Sequence, residues 1–559
     1  FSDQDTLLLK RLSDSIDRLW KVHTDELRKL RRETSDDFPV WGQPGHGEEI
    51  KAQTNLAWKD RKLEQELLSK GVQFSSAYRR LKLVMDYWCA LWFWPIEEFD
   101  NLPTRDEYLF ELQYILEGSP LAEYGEEKGQ LTLFPDTLPR QRQKELAEEL
   151  GHVDVDSLCK EFSRLNLVSE VADRFRYHHW ELEFADLFKD RGGFDLVLGN
   201  PPWVRPRWKE SGLLSEFNPI FAIKKMSAKQ ISELRNEELA AESHLLQYLE
   251  EYVEADATQS FLNATQNYYL LQGMQANLYK CFIPLGWWLA GKHGITGLLH
   301  PEGVYDDPNG GRIREAVYPR LRRHFQFANA YFLFSEVHDQ TTFSINIYGN
   351  NQDVQFEQIA NLFIPQTVDL SYEHDGSSLV VGIKNDQDKW NIDGHQDRIV
   401  SVTLAELAVF ARLYDELGTP ALQARLPAIH TGNLNTVLRK LADWPSRLSD
   451  LDEDYFSTEM WHEVQAQHDG LIYKDVGFVE TPEDLVISGP HFFVGTPLFK
   501  TPRRIVRHNQ DYDSIAIDSI PDDYLPRTIF HPREDSEEYL RRSPRVSWVE
   551  SGEPKVRLA

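Results

Sequence analysis

The run Phe194-Asp195-Leu196-Val197-Leu198-Gly199-Asn200-Pro201-Pro202-Trp203 is an apolar strand stopped by two consecutive prolines. Proline fixes φ and has no N–H, so the ladder cannot continue, and the carbonyls at the turn are left free to accept hydrogen bonds. A strand ending this way belongs at the carboxyl edge of a sheet, where open α/β folds bind ligands. The turn sets out an acceptor pair and a flat face. An exocyclic amine held between the Asn200 side-chain oxygen and the Pro201 carbonyl keeps its lone pair directed outward, while Trp203 offers a stacking surface.

From about residue 175 short β-rich runs alternate with helical patterns. Strands are expected at Phe194 to Leu198, Ile295 to Leu299, Phe327 to Phe334 and Phe343 to Tyr348, which predicts an α/β layer with a largely parallel sheet. The chain before this is helical in pattern. Leu8, Leu12, Ile16, Leu19 and Leu30 recur with helical period, further helical patterns fill about 60 to 118, and Asp136 to Leu150 has caps at both ends. A Gly/Pro-rich loop, Gly42 to Gly47, separates the first two regions. The aromatic group Tyr87, Trp88, Trp92, Phe93 and Trp94 reads as core rather than as a stacking platform. A polar, helix-leaning insertion spans about 204–276, and after about 352 the periodicity becomes mixed, as in a separate module. Three regions result: helical accessory (1–150), catalytic α/β (151–350) and a C-terminal module (351–559).

A net charge of -29 argues against a broad polyanion-binding surface, since nucleic-acid affinity rests on Lys and Arg neutralising phosphates. DNA contact must then be local, at Arg205, Arg207 and Lys209, at Arg320, Arg322 and Arg323, or at Arg503, Arg504 and Arg507. Three scattered cysteines, Cys89, Cys159 and Cys281, fit a reducing cytoplasm and no zinc site. The apolar stretch Leu83 to Trp94 is too short for a bilayer, which needs about 20 residues.

In order along the chain, Arg176-Tyr177-His178-His179-Trp180-Glu181-Leu182-Glu183-Phe184, the Asn-Pro-Pro-Trp turn, Asn277-Leu278-Tyr279, Ile295-Thr296-Gly297-Leu298-Leu299-His300-Pro301, Arg312-Ile313-Arg314-Glu315 and Glu336-Val337-His338 through Phe343-Ser344-Ile345-Asn346-Ile347 resemble the landmarks of the gamma class of DNA adenine-N6 methyltransferases. The likeness is to its large Type IIG and phage-defence branch, of BREX and DISARM type. It implies a Rossmann-like methyltransferase sheet, S-adenosylmethionine as methyl donor and double-stranded DNA as partner. Asn200 and Pro201 would accept the amino hydrogens of a flipped adenine, with Pro202 stiffening the turn. Trp203 would stack on the base, with His338 or Phe343 as second stacking residue. Flipping is needed because the amine is inaccessible within the duplex.

Asp186, 14 positions before Asn200, and then Glu183 are the matches for the acid that binds the donor's adenine. The family's D-P-x-C-G-S-G-like glycine loop is missing from residues 1–199, which predicts that the chain is the C-terminal part of a longer enzyme or half of a split one. The cofactor half is then incomplete, and the isolated chain should bind S-adenosylmethionine weakly or not at all. Beyond the sheet, Leu471 to Arg504 resembles the branch's target-recognition region, with Phe492, Phe493, Lys500, Arg503 and Arg504 as DNA contacts.

The expected activity is site-specific DNA adenine-N6 methylation in a bacterial restriction-modification or phage-defence system. Two alternatives stand beside it: a methyltransferase acting on RNA or protein glutamine, and a non-catalytic DNA-recognition scaffold of a defence complex. No nuclease pattern stands out.

Overall fold

The computed structural model describes residues 2–35, 55–63, 77–118, 153–224, 228–385, 387–447, 450, 462–491, 499–508, 510–533, 539 and 541–542. The expected helix at Asp136 to Leu150 and the loop at Gly42 to Gly47 lie outside them. The chain divides into two compact units, Phe1–Ala442 and Asp443–Ala559.

The first unit begins with a helical layer. Helix α1, Asp3–Thr34, starts at a reciprocal cap in which the Asp5 N–H donates to Ser2 Oγ (3.2 Å) and the Ser2 N–H to Asp5 Oδ2 (2.6 Å). Its buried Leu12, Leu19, Leu27 and Leu30 form one stripe. Against it pack α2, Ala77–Ala90, and α3, Arg105–Glu117, while α4, Ser163–Phe175, packs on α2. Tyr87 and Trp94 are buried there, as a core reading requires. Trp88 is exposed and meets Trp92 and Phe261 edge-on. Helix α5, Ala185–Arg191, then packs on α1 and leads into the sheet.

Six strands form that sheet in the order β1-β2-β4-β3-β5-β6. They are β1 Phe194–Gly199, β2 Ala290–Pro301, β3 Leu321–Ala328, β4 Thr342–Tyr348, β5 Gln355–Leu362 and β6 Val400–Thr403. The pairings β1/β2 and β3/β5 are parallel, and β2/β4, β4/β3 and β5/β6 antiparallel. Four strands, β1, β2, β3 and β5, therefore run in one direction, and β4 and β6 are reversed among them, which makes the sheet mixed. Helices cross over between β1 and β2 and, at Gly311–Val317, between β2 and β3, whereas β3 returns directly as β4 through a loop with no such helix, which sets β4 against its neighbours.

β3 also begins and ends earlier than expected, closing at Ala328 before a 3-10 turn at Asn329–Tyr331. The sheet continues through β5 and β6, past the point near 350 where the sequence pattern weakens, and the compact unit ends only at Ala442.

Between β1 and β2 lie the insertion, whose longest helix is α6, Glu242–Asn263, and α7, Leu278–Leu289. α7 rests on β2 at Gly286, where an added Cβ would lie 2.8 Å from Thr296 Cγ2. One core contains Ile283, Leu298, Val304, Tyr305 and Ile313, and joins α8, Leu404–Tyr414, through Leu407 and Phe410. A smaller cluster of Phe327, Phe343, Ile359 and Leu362 packs against Trp203.

Among its described residues the second unit holds two antiparallel pairs. These are β7 Ile472–Phe478 with β10 Arg527–Pro532, and β8 Lys500–Pro502 with β9 Tyr512–Ser514. Their core is Ile472, Val486, Tyr512, Ile529 and Phe530. No helix among the described residues is long and apolar enough to cross a membrane.

Candidate functional site

β1 ends where its sequence stops it, and the turn that follows exposes Asn200 and Pro202 while burying Pro201. Trp203 is half-buried. Its ring centroid lies 5.5 Å from that of Phe334 and 5.6 Å from that of Phe343, and Phe343 in turn stacks on Phe327 at 5.6 Å. The indole is thus held by an aromatic bed that reaches into the sheet. Its Nε1 is buried without a hydrogen-bond partner among the described residues. Directly after it, the Val204 carbonyl accepts the Leu278 N–H at 3.0 Å, tying the turn to the start of α7.

The turn shares one end of the sheet with the carboxyl end of β2 and the start of β4, where Pro301 pairs with Phe343. Behind it lies a sealed polar layer. The Tyr305 hydroxyl donates to Asn346 Oδ1 (2.6 Å), and His300 Nε2 is 3.0 Å from Asn346 Nδ2. Burial pushes the His300 imidazole down to about 4, so it is neutral near pH 7. Lys280, on the first turn of α7, is buried with its Nζ 3.3 Å from Asp307 Oδ2, and burial lowers its pKa despite that partner.

Of the expected stacking residues, Phe343 is 2% exposed and lies beneath Trp203, where it supports the indole. His338 is exposed on the loop from β3 to β4 and accepts the Gln340 N–H at 3.2 Å. Sequence reasoning missed two neighbours, Phe334 and Asn329, because it carried β3 through them. Asn329 is wholly buried, and its amide closes the loop.

The two acids expected at the donor's adenine lie in the helical layer and are already engaged. Asp186 is 4% exposed and ion-paired with Arg31 of α1, while Glu183 accepts the Tyr78 hydroxyl at 2.7 Å. Asp186 Oδ1 is buried without a partner among the described residues. One oxygen of each carboxylate is thus held inside the helical layer, by Arg31 and by Tyr78, which leaves the buried Asp186 Oδ1 as the acceptor with which the pair fits a polar group of a donor.

Cations flank the turn. Arg205, Arg207 and Lys209 are exposed, and none of their side-chain charges has a hydrogen-bond or ion-pair partner among the described residues. The other basic spot of the sheet is spent internally: Arg320 lies over Trp287, Arg322 donates to the Pro319 carbonyl, and Arg323 pairs with Glu357 at 3.1 Å.

Residues 86–234 match the family described as Eco57I restriction-modification methylase. That stretch runs from α2 through the Asn200 turn and its cations into the insertion. No curated protein matches the chain. Among solved structures, the cryoEM structure of a DrdV-DNA complex is similar at 10% identity with a TM-score of 0.14. The match covers 64% of this chain and 43% of that one, so the chain spans less than half the length of that protein.

In the second unit Lys500 is half-buried in β8, and Arg503 and Arg504 are exposed just beyond it. Arg503 is bonded to Asp513 at 2.9 Å. Phe492 and Phe493 lie outside the described residues.

Proposed function

We propose that this polypeptide is the base-binding part of a site-specific DNA adenine-N6 methyltransferase of a restriction-modification or phage-defence system. One observation carries the reading: the Asn200 side chain stands exposed at the carboxyl end of a parallel strand, beside a braced indole and three unpartnered cations. The family match over 86–234 includes all of them. The β1-α7-β2 unit supports a Rossmann-like sheet of the methyltransferase type.

The chemistry asked of these residues is acceptor geometry. Asn200 Oδ1 and the Pro201 carbonyl each take one amino hydrogen of a flipped adenine, so the nitrogen lone pair points away from both and is held for in-line attack. Trp203 stacks on the ring, kept rigid by Phe334 and Phe343, with His338 at the rim. Arg205 and Arg207 hold the phosphates on either side of the flipped nucleotide, and Lys500, Arg503 and Arg504 contact the recognition sequence. S-adenosylmethionine supplies the methyl group when bound.

The donor half is provided by polypeptide other than these residues, either elsewhere in the same protein or in a partner chain. The open edge of β1 supports this. It is the edge strand of the described sheet, yet Leu196 and Leu198 are 56% and 71% exposed. Parallel strands are ordinarily covered on both faces, and an uncovered edge is a template for pairing with a further strand. A further parallel strand beside β1, with a helix over the two leucines, would complete the layer.

The test is to incubate duplex DNA with labelled S-adenosylmethionine and the complete enzyme, then assay for N6-methyladenine. The wild type should produce it, and Asn200→Ala should abolish it with DNA binding intact. Label appearing in RNA or protein instead would reassign the substrate, and retained activity in Asn200→Ala would sink the mechanism.

A further inference from the structure

The loop from β3 to β4 presents Phe332 and Leu333 to solvent at 60% and 39% exposure, beside Tyr331, 46% exposed, whose hydroxyl donates to the Trp390 carbonyl at 3.4 Å and whose ring meets Phe363 edge-on. It is not a slack loop. Asn329 Nδ2 donates to the carbonyls of Phe334 (2.9 Å) and Val337 (2.7 Å), while its Oδ1 accepts the Phe334 N–H at 3.0 Å. One buried amide therefore clamps both ends of the tip.

Phe332 sits at the apex of this clamp with φ 53 and ψ 46. That left-handed position at the end of a helical turn is ordinarily filled by glycine or asparagine, which escape the Cβ clash. Among the described non-glycine residues with positive φ, the others are Arg176, Asn361 and Asp388, so Phe332 is the aromatic one. A large apolar side chain is thus kept in a strained conformation that leaves it in water, which neither packing nor propensity explains. Strain maintained by surrounding structure is a mark of functional positions. Phe334, two residues on, touches Trp203, which places the tip beside the base-binding turn.

We propose that Phe332 is an apolar wedge that enters the duplex where the target adenine leaves it, with Tyr331 and Leu333 against the neighbouring step. The inference rests on the adenine-methylation reading above and adds to it the residue that offsets the lost stacking. Apolar wedges of this kind enter base steps in other DNA-binding proteins, and unstacking is the cost a base-flipping enzyme must meet. The rigid clamp fits this role, since a wedge that yields on contact cannot hold a gap open.

The experiment uses the complete enzyme and a synthetic duplex carrying the adenine that the wild type methylates, identified by sequencing plasmid DNA modified by it. A second duplex places the same adenine opposite an abasic site, where pairing no longer opposes flipping. Phe332→Ala should lower the methylation rate on the paired duplex by about tenfold or more, and most of the loss should vanish on the abasic duplex. Phe332→Gly should show the same kinetic pattern while its melting temperature rises, which separates a wedge from a structural residue. Equal rates for wild type and Phe332→Ala on the paired duplex, or an equal loss on both duplexes, would overturn the wedge alone. A wild type that methylates no DNA would bring down the underlying reading and the wedge with it.

Discussion

His324 Nε2 lies 3.2 Å from Glu302 Oε1 just beyond the end of β2, and both side chains are sealed from solvent. The other carboxylate oxygen accepts from Gln326 Nε2 at 3.3 Å, so β2 and β3 are joined through a buried charge directly behind the candidate site. Burial alone would push the Glu302 carboxyl up. The His324 imidazole and the Ser344 hydroxyl outweigh it and hold the pKa below its ordinary 4.5.

Removing one partner of such a pair leaves the other unsatisfied. Glu302→Ala should therefore destabilise the first unit by about 3–5 kcal/mol, read as a shift of its chemical unfolding midpoint. The pH dependence follows from the depressed carboxyl. The contribution is fully present above the unfolded value near 4.5 and disappears as pH falls through the lower folded value, so wild type and Glu302→Ala should converge in stability below that range. A gap between them that persists unchanged into strong acid would show that the pair contributes little.

Much of the site was legible because local chemistry wrote it. Asn200 to Trp203 ends a strand by proline sterics alone, and β1, β2 and β4 carry apolar runs that survive any context. β3 was misplaced because Arg322, Arg323 and His324 read as polar surface, whereas their side chains are engaged by the Pro319 carbonyl, Glu357 and Glu302. β5 hides for a similar reason, since Gln358 is polar by type yet wholly buried, with its Nε2 donating to the Pro427 carbonyl at 3.0 Å. Asp186 looked like a free acid until folding brought Arg31 to it from a helix 155 residues earlier. Partners so distant in sequence leave no local trace.

The start of the β1/β2 pair depends on two adjacent glycines with different demands. Gly192 has φ +75 and open space around its Cβ position, so Gly192→Ala should cost only the left-handed penalty, about 1–2 kcal/mol. At Gly193, φ is +136 and an added Cβ would fall 2.5 Å from the Leu289 carbonyl oxygen and 2.7 Å from the Gly291 nitrogen. Backbone atoms on two sides cannot yield cheaply. Gly193→Ala should lose on the order of 3 kcal/mol or more, and urea unfolding of the two variants side by side would show whether that order holds.

The exposed face of β1 separates stability from assembly. Leu198 is 71% exposed, so Leu198→Asp should leave the thermal stability of this chain within about 0.5 kcal/mol of wild type. If that face receives the cofactor-binding half, the same substitution buries a carboxylate at the new interface. Co-elution with a separately expressed cofactor half should then be lost, along with any methylation activity regained on mixing. Undiminished co-elution would locate the interface elsewhere.

On a chain carrying -29 net charge, three unpartnered cations beside the turn mark where a phosphate backbone can approach. Each phosphate contact releases counterions, so its loss shows in the salt dependence of affinity more cleanly than in affinity itself. Replacing both Arg205 and Arg207 by alanine should weaken DNA binding about equally across sequences and flatten the slope of log K against log salt by about 1.8, roughly 0.9 per contact. Arg503→Ala should behave differently. Its guanidinium is bonded to Asp513, and a residue that reads bases should relax sequence preference while leaving the slope nearly unchanged. Fluorescence anisotropy over a salt series, with specific and scrambled duplexes, separates the two. An unchanged slope in the double variant would remove Arg205 and Arg207 from the DNA path.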